Sequence, residues 1–325
     1  MLIRGLLFFL FICNSYFVAY ENDYIKEVAK VYFHEEPDLE IMPLTGGYSE
    51  AKNFILQIKD KKYVFRIRDP NGNCNEIYAM LQAAELNIAP KVFYIAPDQQ
   101  AILMDFVDGS TLSSRQAHDP ISIGRIARGI SLIHSIPNLA KLKLSFFDVV
   151  KRSYEKVLEK GQFSIEAKEI MDNFTNVNEH LSQMDQPKVT IHGDLNPRNI
   201  FMGLKGVQFI DWSESKWEDP FHDIAYFSLM NYYNDEEENV FLNNYLNRTS
   251  TPIERMRYQL IKKEILLYFS LGMLGAVNSE INKNQPSKSW TYYISALFDS
   301  SLGVELNDQF FYEMSRRAFL DAKSM

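Results

Sequence analysis

The sequence predicts an α+β fold in two lobes, the first an antiparallel sheet with a helix and the second mainly helical. Strand-like segments are concentrated between residues 40 and 104, whereas helical periodicity dominates from residue 123 onward. The chain is also long enough, because 325 residues with 46% apolar side chains can build one large domain or two lobes. We predict an apolar leader at residues 1–20, an N-terminal lobe at 21–107 and a C-terminal lobe at 108–325.

The N-terminal lobe is predicted to begin with an amphipathic helix over residues 21–34. Five strand-like segments follow, at residues 40–44, 53–59, 62–68, 91–95 and 101–104. A tight turn at Asp60-Lys61 is expected to join the second and third strands into a hairpin. After the third strand, a helix starting near residue 73 is expected to bury Ile77, Met80, Leu81 and Ala84.

The C-terminal lobe is predicted to consist mainly of helices. Helical patterns occupy residues 123–136, 147–160, 165–184, 240–247, 252–278, 290–298 and 308–322. The first of these helices is expected to bury Ile126, Ile130, Leu132 and Ile133. Between the third and fourth helical patterns lies a stretch with a different character, in which short apolar runs alternate with polar turns.

This stretch, residues 191–212, carries the most chemical information in the chain. A His-Gly-Asp tripeptide ends at Asp194, and Asn196-Pro197 is expected to form a turn after it, because Pro fixes its own φ and pushes the residue before it away from helix. Asn199 follows Asp194 by five positions, and a second apolar run ends in Asp211. Phosphoryl transfer needs such a set: one carboxylate takes the proton of the attacking hydroxyl, while an Asn and a second Asp hold Mg²⁺ on the nucleotide phosphates. Asp194 is therefore the predicted base, and Asn199 and Asp211 are the predicted metal ligands.

The alternative is a turn without chemistry, since Asp and Asn beside Gly or Pro often bond only their own backbone. The complete pattern favours the functional interpretation. It resembles the aminoglycoside phosphotransferase and choline kinase superfamily, and residues 42–47 and 63–67 resemble bacterial choline kinases in particular. The resemblance covers about residues 40–225 and continues more loosely to the C-terminus. It implies a two-lobed, protein-kinase-like fold that uses ATP and Mg²⁺.

The resemblance also points to nucleotide-binding residues in the first lobe. Gly46 and Gly47 lie between the first two strands, where small residues can bring backbone N–H groups against phosphates, although a plain hairpin turn is the alternative. Choline kinase-like proteins commonly place Arg at the position of Arg66, and a guanidinium fits phosphate oxygens bidentately. Glu76 in the following helix is its expected partner. Arg68 shares the strand face and could exchange roles with Arg66.

Further positions follow from the same resemblance. Residues 104–109 resemble the hinge between the lobes, where the backbone groups of Asp105 and Val107 would bond the adenine. Asp223, in the sequence Asp-Ile-Ala, is the expected anchor of the catalytic loop and is not expected to be catalytic. His134 is expected to pack at a helix end with a hydrogen bond to a neighbour.

The sequence identifies the acceptor substrate less clearly than the nucleotide. Many choline kinases carry an acidic residue two positions beyond the metal-binding Asp, whereas this chain has Ser213 there and Glu214 one position later. That departure puts choline itself in doubt. Aromatic residues are numerous enough to enclose a quaternary ammonium through cation–π contacts, but helical aromatics usually belong to the core, so none is assigned. The candidates are Tyr232, Tyr233, Tyr268, Phe269, Trp290 and Tyr292.

The predicted activity is ATP- and Mg²⁺-dependent phosphorylation of a small-molecule hydroxyl, with choline or a related cationic amino alcohol as the first candidate. An aminoglycoside, thiamine or sugar kinase of the same superfamily is the alternative. A non-catalytic nucleotide-binding scaffold is the alternative of another class, but the presence of every essential polar residue argues against it. The net charge of −8 argues against a nucleic-acid partner, since a phosphate backbone attracts clustered Lys and Arg.

The leader leaves three interpretations open. Arg4 precedes an apolar run from Gly5 to Ala19, which is typical of a signal peptide but short for a membrane span. The segment is a secretion signal, a membrane tether, or upstream sequence from a wrongly chosen start codon. Because an ATP-dependent enzyme would find little nucleotide outside the cell, we expect a cytoplasmic protein that contacts a membrane only if the leader is retained.

Overall fold

A computed structural model describes residues 21–34, 38–44, 51–69, 72–137, 145–185, 187–203 and 206–325. The chain divides into two compact units. The first contains the described residues up to Gly72 together with Pro90–Asp108, and the second contains Asn73–Ala89 together with Gly109–Met325. The predicted α+β organisation is confirmed, because the first unit holds a five-stranded antiparallel sheet and the second is mainly helical. The predicted boundaries after residues 20 and 107 stay a prediction.

The sheet of the first unit has the strand order β1-β2-β3-β5-β4, with antiparallel neighbours throughout. Phe65 on the central strand pairs with Phe54 on one side and with Leu103 on the other, and all three side chains are buried. Such cross-strand pairs stabilise one face of a sheet. The strands are β1 (Leu39–Leu44), β2 (Lys52–Ile58), β3 (Lys61–Ile67), β4 (Val92–Ile95) and β5 (Ala101–Asp105).

Residues 21–33 form helix α1, as the apolar spacing predicts. Ile25 and Val28 are buried in the same apolar cluster as the sheet residues Phe54 and Phe65. The predicted hairpin turn was wrong by one residue, because β3 already begins at Lys61 and the turn is Lys59–Asp60. Lys59 has a φ of 53°, as the first position of a primed two-residue turn requires.

The second unit contains ten helices within the residues that the structure describes, together with two pairs of short strands. The helices are α2 (Glu76–Glu85), α3 (Ser114–Ala117), α4 (Pro120–His134), α5 (Phe146–Lys160), α6 (Ser164–Ser182), α7 (Phe221–Met230), α8 (Asp235–Leu246), α9 (Pro252–Ala276), α10 (Trp290–Phe298) and α11 (Asp308–Ser324). The strands are β6 (Val189–Ile191), β7 (Ile200–Gly203), β8 (Gly206–Phe209) and β9 (Lys216–Glu218).

Helix α9 is the element around which the second unit packs, since it contacts α5, α6, α7 and α11. Its start is well defined: Thr251 and Glu254 form a capping box, and Pro252 occupies the first helical position. Leu267 and Leu271 in its middle are fully buried. The helix therefore holds α7 in a fixed place, and with it the residues that follow the predicted catalytic stretch, residues 191–212.

Two details of helix burial differ from the sequence prediction. In α2, Met80 is buried as predicted, but the other buried residues (Glu76, Ala79 and Ala83) each precede a predicted residue by one position. In α4, Ile126, Ile130 and Ile133 are buried as predicted, but Leu132 is 41% exposed. Hydropathy alone did not identify the buried residues of either helix completely, because the burial of a side chain depends on the element packed against it.

Two antiparallel strand pairs position the catalytic stretch. Strand β6, which leads into His192, pairs with β9, and strands β7 and β8 form a hairpin between Asn199 and Asp211. Of the helices in the described parts of the chain, none combines the length and the apolar character needed to cross a membrane.

Candidate active site

The turn that carries Asp194 is stabilised by its own side chains. Asn196 is extended and its Oδ1 accepts a hydrogen bond from the backbone N–H of Arg198 at 2.9 Å, which caps the 3₁₀ turn Pro197–Asn199. The predicted role of the Asn-Pro pair in forming the turn is confirmed. Asn199, at the end of this turn, points its amide back at Asp194: Nδ2 donates to the Asp194 backbone carbonyl and to its Oδ2, both at 3.0 Å.

The carboxylate of Asp194 is held by three side chains. Asn196 Nδ2 lies 3.0 Å from both carboxylate oxygens, and Asn199 Nδ2 lies 3.0 Å from Oδ2. The hydroxyl of Tyr226, on helix α7, donates to Oδ1 at 2.7 Å. This last distance is typical of a hydrogen bond to a charged oxygen. The carboxylate is thus fixed from two directions, by its own loop and by a helix that follows later in the chain.

The hairpin β7–β8 brings Asp211 next to this turn. Ile200 pairs with Phe209, and the N–H of Ile210 donates to the carbonyl of Asn199 at 2.9 Å, so Asp211 follows directly on a residue that is bonded to Asn199. Asp211 itself has a φ of 61°, in the left-handed region that few non-glycine residues adopt. Backbone strain of this kind is concentrated at functional sites, where the surrounding structure maintains it.

A buried imidazole joins the two halves of the site. His192 Nε2 lies 3.0 Å from the carbonyl oxygen of Ile210, and Nδ1 lies 3.3 Å from the backbone N–H of Asp194. A carbonyl can only accept and an amide N–H can only donate, so Nε2 carries the proton and Nδ1 is the acceptor. The ring is fully buried. His192 therefore fixes the position of the Asp194 loop relative to the strand that ends before Asp211.

The residues present fit a Mg²⁺ ion on nucleotide phosphates. Because both contacts of the Asn199 amide nitrogen go to Asp194, its Oδ1 faces away from that residue, and none of the described residues donates a hydrogen bond to it. Across the described ranges no three His, Cys, Asp or Glu side chains converge on one point as metal ligands. One Asp and one Asn suit Mg²⁺, which usually keeps phosphate oxygens and waters as its other ligands.

Asp223 anchors the catalytic loop, as the resemblance implies. Its carboxylate accepts the backbone N–H groups of His192 and Gly193 at 2.8 and 2.9 Å, and His134 Nε2 lies 3.1 Å from the same group. Burial would raise the pKa of Asp223, but the hydrogen bond and charge of His134, with smaller contributions from His192 and Gly193, outweigh it and lower that pKa. The other nitrogen of His134 contacts the hydroxyl of Tyr245 at 2.8 Å.

Gly193 is required by the close packing of this loop. Its φ is 86°, and a Cβ added there would collide with the carbonyl oxygen of Glu214. We expect Gly193→Ala to lower the free energy of unfolding by about 2–4 kcal/mol through backbone strain and overlap. Turnover should fall by roughly 10²-fold, because the loop that carries Asp194 must shift. Thermal unfolding and steady-state kinetics measure the two effects.

Gly161 is the matched control for this substitution. It also has a positive φ, 73°, but a Cβ there would meet no atom within 4 Å. Gly161→Ala should therefore cost about 1 kcal/mol of stability and leave turnover unchanged. Equal effects of the two substitutions on turnover would contradict the role given to the contact between Gly193 and Glu214.

The side of the site that faces α7 and α9 is acidic and aromatic. Glu214 is exposed over part of its surface, yet burial by the surrounding protein raises its pKa; Lys216 opposes this effect, and Asp194 and Asp211 add to it. Burial and Glu214 together raise the pKa of Tyr268. Phe269 packs against three other rings at centroid distances of 5.8–6.1 Å, and we call the four rings the aromatic group: Tyr226, Tyr268, Phe269 and Trp290.

Three of the six aromatic residues named from the sequence belong to this group. The other three lie elsewhere: Tyr232 and Tyr233 pack against His118, and Tyr292 packs against Tyr293. The indole N–H of Trp290 has a structural role, since Nε1 donates to the backbone carbonyl of Leu229 at 3.0 Å. The residues Tyr226, Tyr268 and Phe269 are half-buried, whereas Trp290 is buried.

The remaining predicted site residues are described unit by unit. In the first unit Arg66 is buried, and its guanidinium contacts Asn53 Oδ1 at 3.3 Å across the β2–β3 pair. The backbone N–H of Asp105 donates to the backbone carbonyl of Lys91 at 2.8 Å, so this N–H is already hydrogen-bonded within the first unit. Val107 is half-buried.

The other nucleotide-binding predictions remain predictions. Glu76 is buried at the start of α2 in the second unit, so its pairing with Arg66 of the first unit is untested. Asn73, just before α2, donates to the carbonyl of Ser215 at 2.5 Å and holds the helix start against the turn that follows Asp211. Gly46 and Gly47 lie outside the described residues.

Sequence reasoning missed two residues that contact Asp194. Asn196 was assigned only to the turn, although its amide also holds the carboxylate. Tyr226 was not considered at all. Its position offers a signal, because it follows Asp223 by three residues on the same helix, and side chains at that spacing share a helix face. Because Asp223 contacts the loop, the residue one turn later on the same face of the helix, Tyr226, can be expected to contact it too.

Residues 40–258 match the phosphotransferase enzyme family. Among curated proteins, protein LicA of Haemophilus influenzae is 24% identical over 234 residues, which cover 69% of this chain and 67% of that protein.

Two solved structures are also similar. The choline kinase LicA from Streptococcus pneumoniae superposes with a TM-score of 0.67 at 18% identity, covering 94% of this chain and 100% of that one. A spectinomycin phosphotransferase in complex with ADP and spectinomycin gives a TM-score of 0.56 at 15% identity, covering 92% and 93%. At these identities the likeness establishes the fold, which is the predicted protein-kinase-like one.

Proposed function

The chain belongs to the phosphotransferase enzyme family, and we propose that it transfers a phosphoryl group from Mg-ATP to the hydroxyl of choline or a related cationic amino alcohol. The prediction of a small-molecule kinase is confirmed by the family and by the LicA relatives. What we propose beyond this is the identity of the nucleotide as ATP, of the ion as Mg²⁺ and of the acceptor as choline or a related amino alcohol. A cytoplasmic location, with membrane contact only if the leader is retained, belongs to it as well.

The observation that carries the proposal is the arrangement around Asp194. A base for an alcohol must be a carboxylate whose orientation is fixed at hydrogen-bonding distance from the reacting hydroxyl. Asn196, Asn199 and Tyr226 fix it, and Asp223 fixes the loop on which it lies. Asp194 would accept the proton as the alcohol oxygen attacks the terminal phosphorus. Most of the rate enhancement in such a site comes from positioning and electrostatics.

Asn199 and Asp211 would hold Mg²⁺ in the proposed reaction. The ion, when bound, neutralises negative charge on the phosphates. The protein's part is to supply two ligands from the same end of the β7–β8 hairpin, the side-chain Oδ1 of Asn199 and the carboxylate of Asp211. Arg66 and the Gly46-Gly47 segment are proposed to contact the phosphates. ADP in the spectinomycin phosphotransferase structure supports nucleotide use in this fold.

The acidic and aromatic side of the site favours a cationic acceptor. The three half-buried rings of the aromatic group can receive a quaternary ammonium through cation–π contacts. Glu214 adds a carboxylate next to them, and so compensates for Ser213 at the place where many choline kinases are acidic. The name of the S. pneumoniae structure, a choline kinase, agrees with this choice.

The first test is ADP release by the full chain with Mg-ATP and separate acceptors: choline, ethanolamine, thiamine, spectinomycin and a hexose. Turnover that depends on choline or ethanolamine would support the proposal. Turnover with spectinomycin, thiamine or the sugar would show that the proposed acceptor is wrong and that the proposed reaction is right. Binding of Mg-ATP without turnover on any acceptor would favour the nucleotide-binding scaffold.

Neutralising Glu214 tests the charge of the acceptor. We expect Glu214→Gln to raise the KM for choline about fivefold with little change in kcat, because the partly screened carboxylate attracts the cation by ~1 kcal/mol. Glu236→Gln is the control, since Glu236 is exposed in the first turn of α8 and should leave KM unchanged. An unchanged KM in Glu214→Gln would remove Glu214 from the acceptor site.

A further inference from the structure

The described side chains occupy every lone-pair direction of the Asp194 carboxylate, so none is free for an acceptor. The described side chains make four contacts with it: Asn196 and Tyr226 at Oδ1, and Asn196 and Asn199 at Oδ2. An ionised carboxylate offers about four lone-pair directions, two on each oxygen. A base in the proposed reaction must also accept the hydroxyl of the alcohol, at roughly 2.6–3.2 Å. One of the present donors must therefore leave when an acceptor binds.

Two of the three donors are held in place by the loop itself. Asn199 Nδ2 also donates to the backbone carbonyl of Asp194, and the backbone carbonyl of Asn199 accepts the N–H of Ile210. Asn196 uses its Oδ1 to cap the turn at Arg198. Moving either amide would break the turn that carries the base. Neither Asn can therefore move away without disturbing Asp194.

Tyr226 is the donor that can leave. It lies on α7, outside the loop, and has only its one hydroxyl contact with Asp194. Its ring is half-buried and packs at 5.8 Å against Phe269 in the aromatic group, the side from which the acceptor is proposed to enter. Burial, and then the charge of Asp194, raise the pKa of Tyr226 well above its usual value, so the hydroxyl stays a donor.

We propose that the Tyr226 hydroxyl occupies the place of the acceptor hydroxyl on Asp194, and that an acceptor must displace it before phosphoryl transfer. This inference rests on the proposed function. Tyr226 is then a positioning residue that acts through Asp194 and determines specificity for an alcohol over water. In hydrolysis, the water oxygen bonds to the γ-phosphorus, the bond to the bridging oxygen breaks, ADP leaves and Asp194 takes the proton. The tyrosine keeps water from the direction on Asp194 that this step needs.

Tyr226→Phe tests the proposal, since it removes the hydroxyl and keeps the ring against Phe269. Acceptor-free hydrolysis of Mg-ATP should rise about tenfold, as expected for loss of one hydrogen bond to a charged group. The KM for the acceptor should fall several-fold, because the alcohol no longer competes with the tyrosine. Tyr233→Phe is the matched control. Its hydroxyl donates to the carbonyl of Ala117 at 2.5 Å and not to Asp194, so its loss should change neither quantity.

The two measurements separate this inference from the proposed function. Acceptor-free hydrolysis in Tyr226→Phe that is no faster than in the wild type and in Tyr233→Phe would overturn the gating role. A rise in the acceptor KM would also overturn it, because the Tyr226 hydroxyl, and not only its ring, would then bind the acceptor. If no acceptor is turned over by the wild type, the proposed acceptor fails, yet the hydrolysis rates still decide the role of Tyr226.

Discussion

Asp194→Ala is expected to lower turnover by about 10³-fold, the contribution of a positioned general base, while Mg-ATP binding stays nearly unchanged. The loss follows from the geometry, since among the described residues Asp194 has the only carboxylate that Asn196, Asn199 and Tyr226 hold. Single-turnover kinetics measure the chemical step, and calorimetry with Mg-ATP measures binding. Unchanged turnover in this variant would show that Asp194 is not the base.

Two further substitutions separate the base from the metal ligand. Asp194→Asn keeps the shape of the side chain but cannot take the proton, so its turnover should be close to that of the alanine variant. Asp211→Ala should weaken Mg-ATP binding as well as turnover, because Asp211 is proposed to hold the ion. Equal nucleotide affinities in the Asp194 and Asp211 variants would contradict this division of roles.

Asp223→Ala is expected to lower the free energy of unfolding by about 3–5 kcal/mol, as for removal of one partner from a buried charged network. Asp223 is almost completely buried and accepts the N–H groups of His192 and Gly193, which would be left without a partner. His134 would lose the same group. Turnover should fall too, since this loop carries Asp194. Thermal unfolding and steady-state kinetics measure the two effects.

The pH dependence of Asp223→Asn gives an independent check. A carboxyl whose pKa is lowered by folding stabilises the native state above its unfolded pKa of about 3.9, and this contribution is lost as the pH falls through the lower folded value. The pKa of Asp223 is lowered in this way. The stability difference between wild type and Asp223→Asn should therefore be constant near neutral pH and shrink in acid. A difference that grows in acid would contradict the charged form of Asp223.

Much of the fold is readable from the sequence because the signals are local. The strands of the sheet lie within one residue of their predicted bounds, and α10 has the predicted bounds of residues 290–298. Alternation and helical periodicity depend only on neighbouring residues. The catalytic stretch was readable for a related reason, since Asp194, Asn199 and Asp211 lie within one short segment.

The parts that were not readable depend on segments distant in the chain. Tyr226 reaches Asp194 across 32 residues, and the aromatic group combines rings from α7, α9 and α10. Leu132 is as apolar as its neighbour Ile133, but it lies on the exposed side of α4. Hydropathy describes the residue itself, whereas these outcomes depend on what packs against it. The six aromatic candidates therefore could not be reduced to three before the fold was known.

The pairing of β7 with β8 has a consequence for insertions and deletions. Asn199 and Asp211 flank the open end of this hairpin, where Ile200 pairs with Phe209. A deletion of one residue within either strand would shift the register, and a shift by one residue turns every following side chain to the opposite face of the strand. Homologous chains should therefore differ in length at the connection between Gly203 and Gly206, and should keep both strands free of gaps.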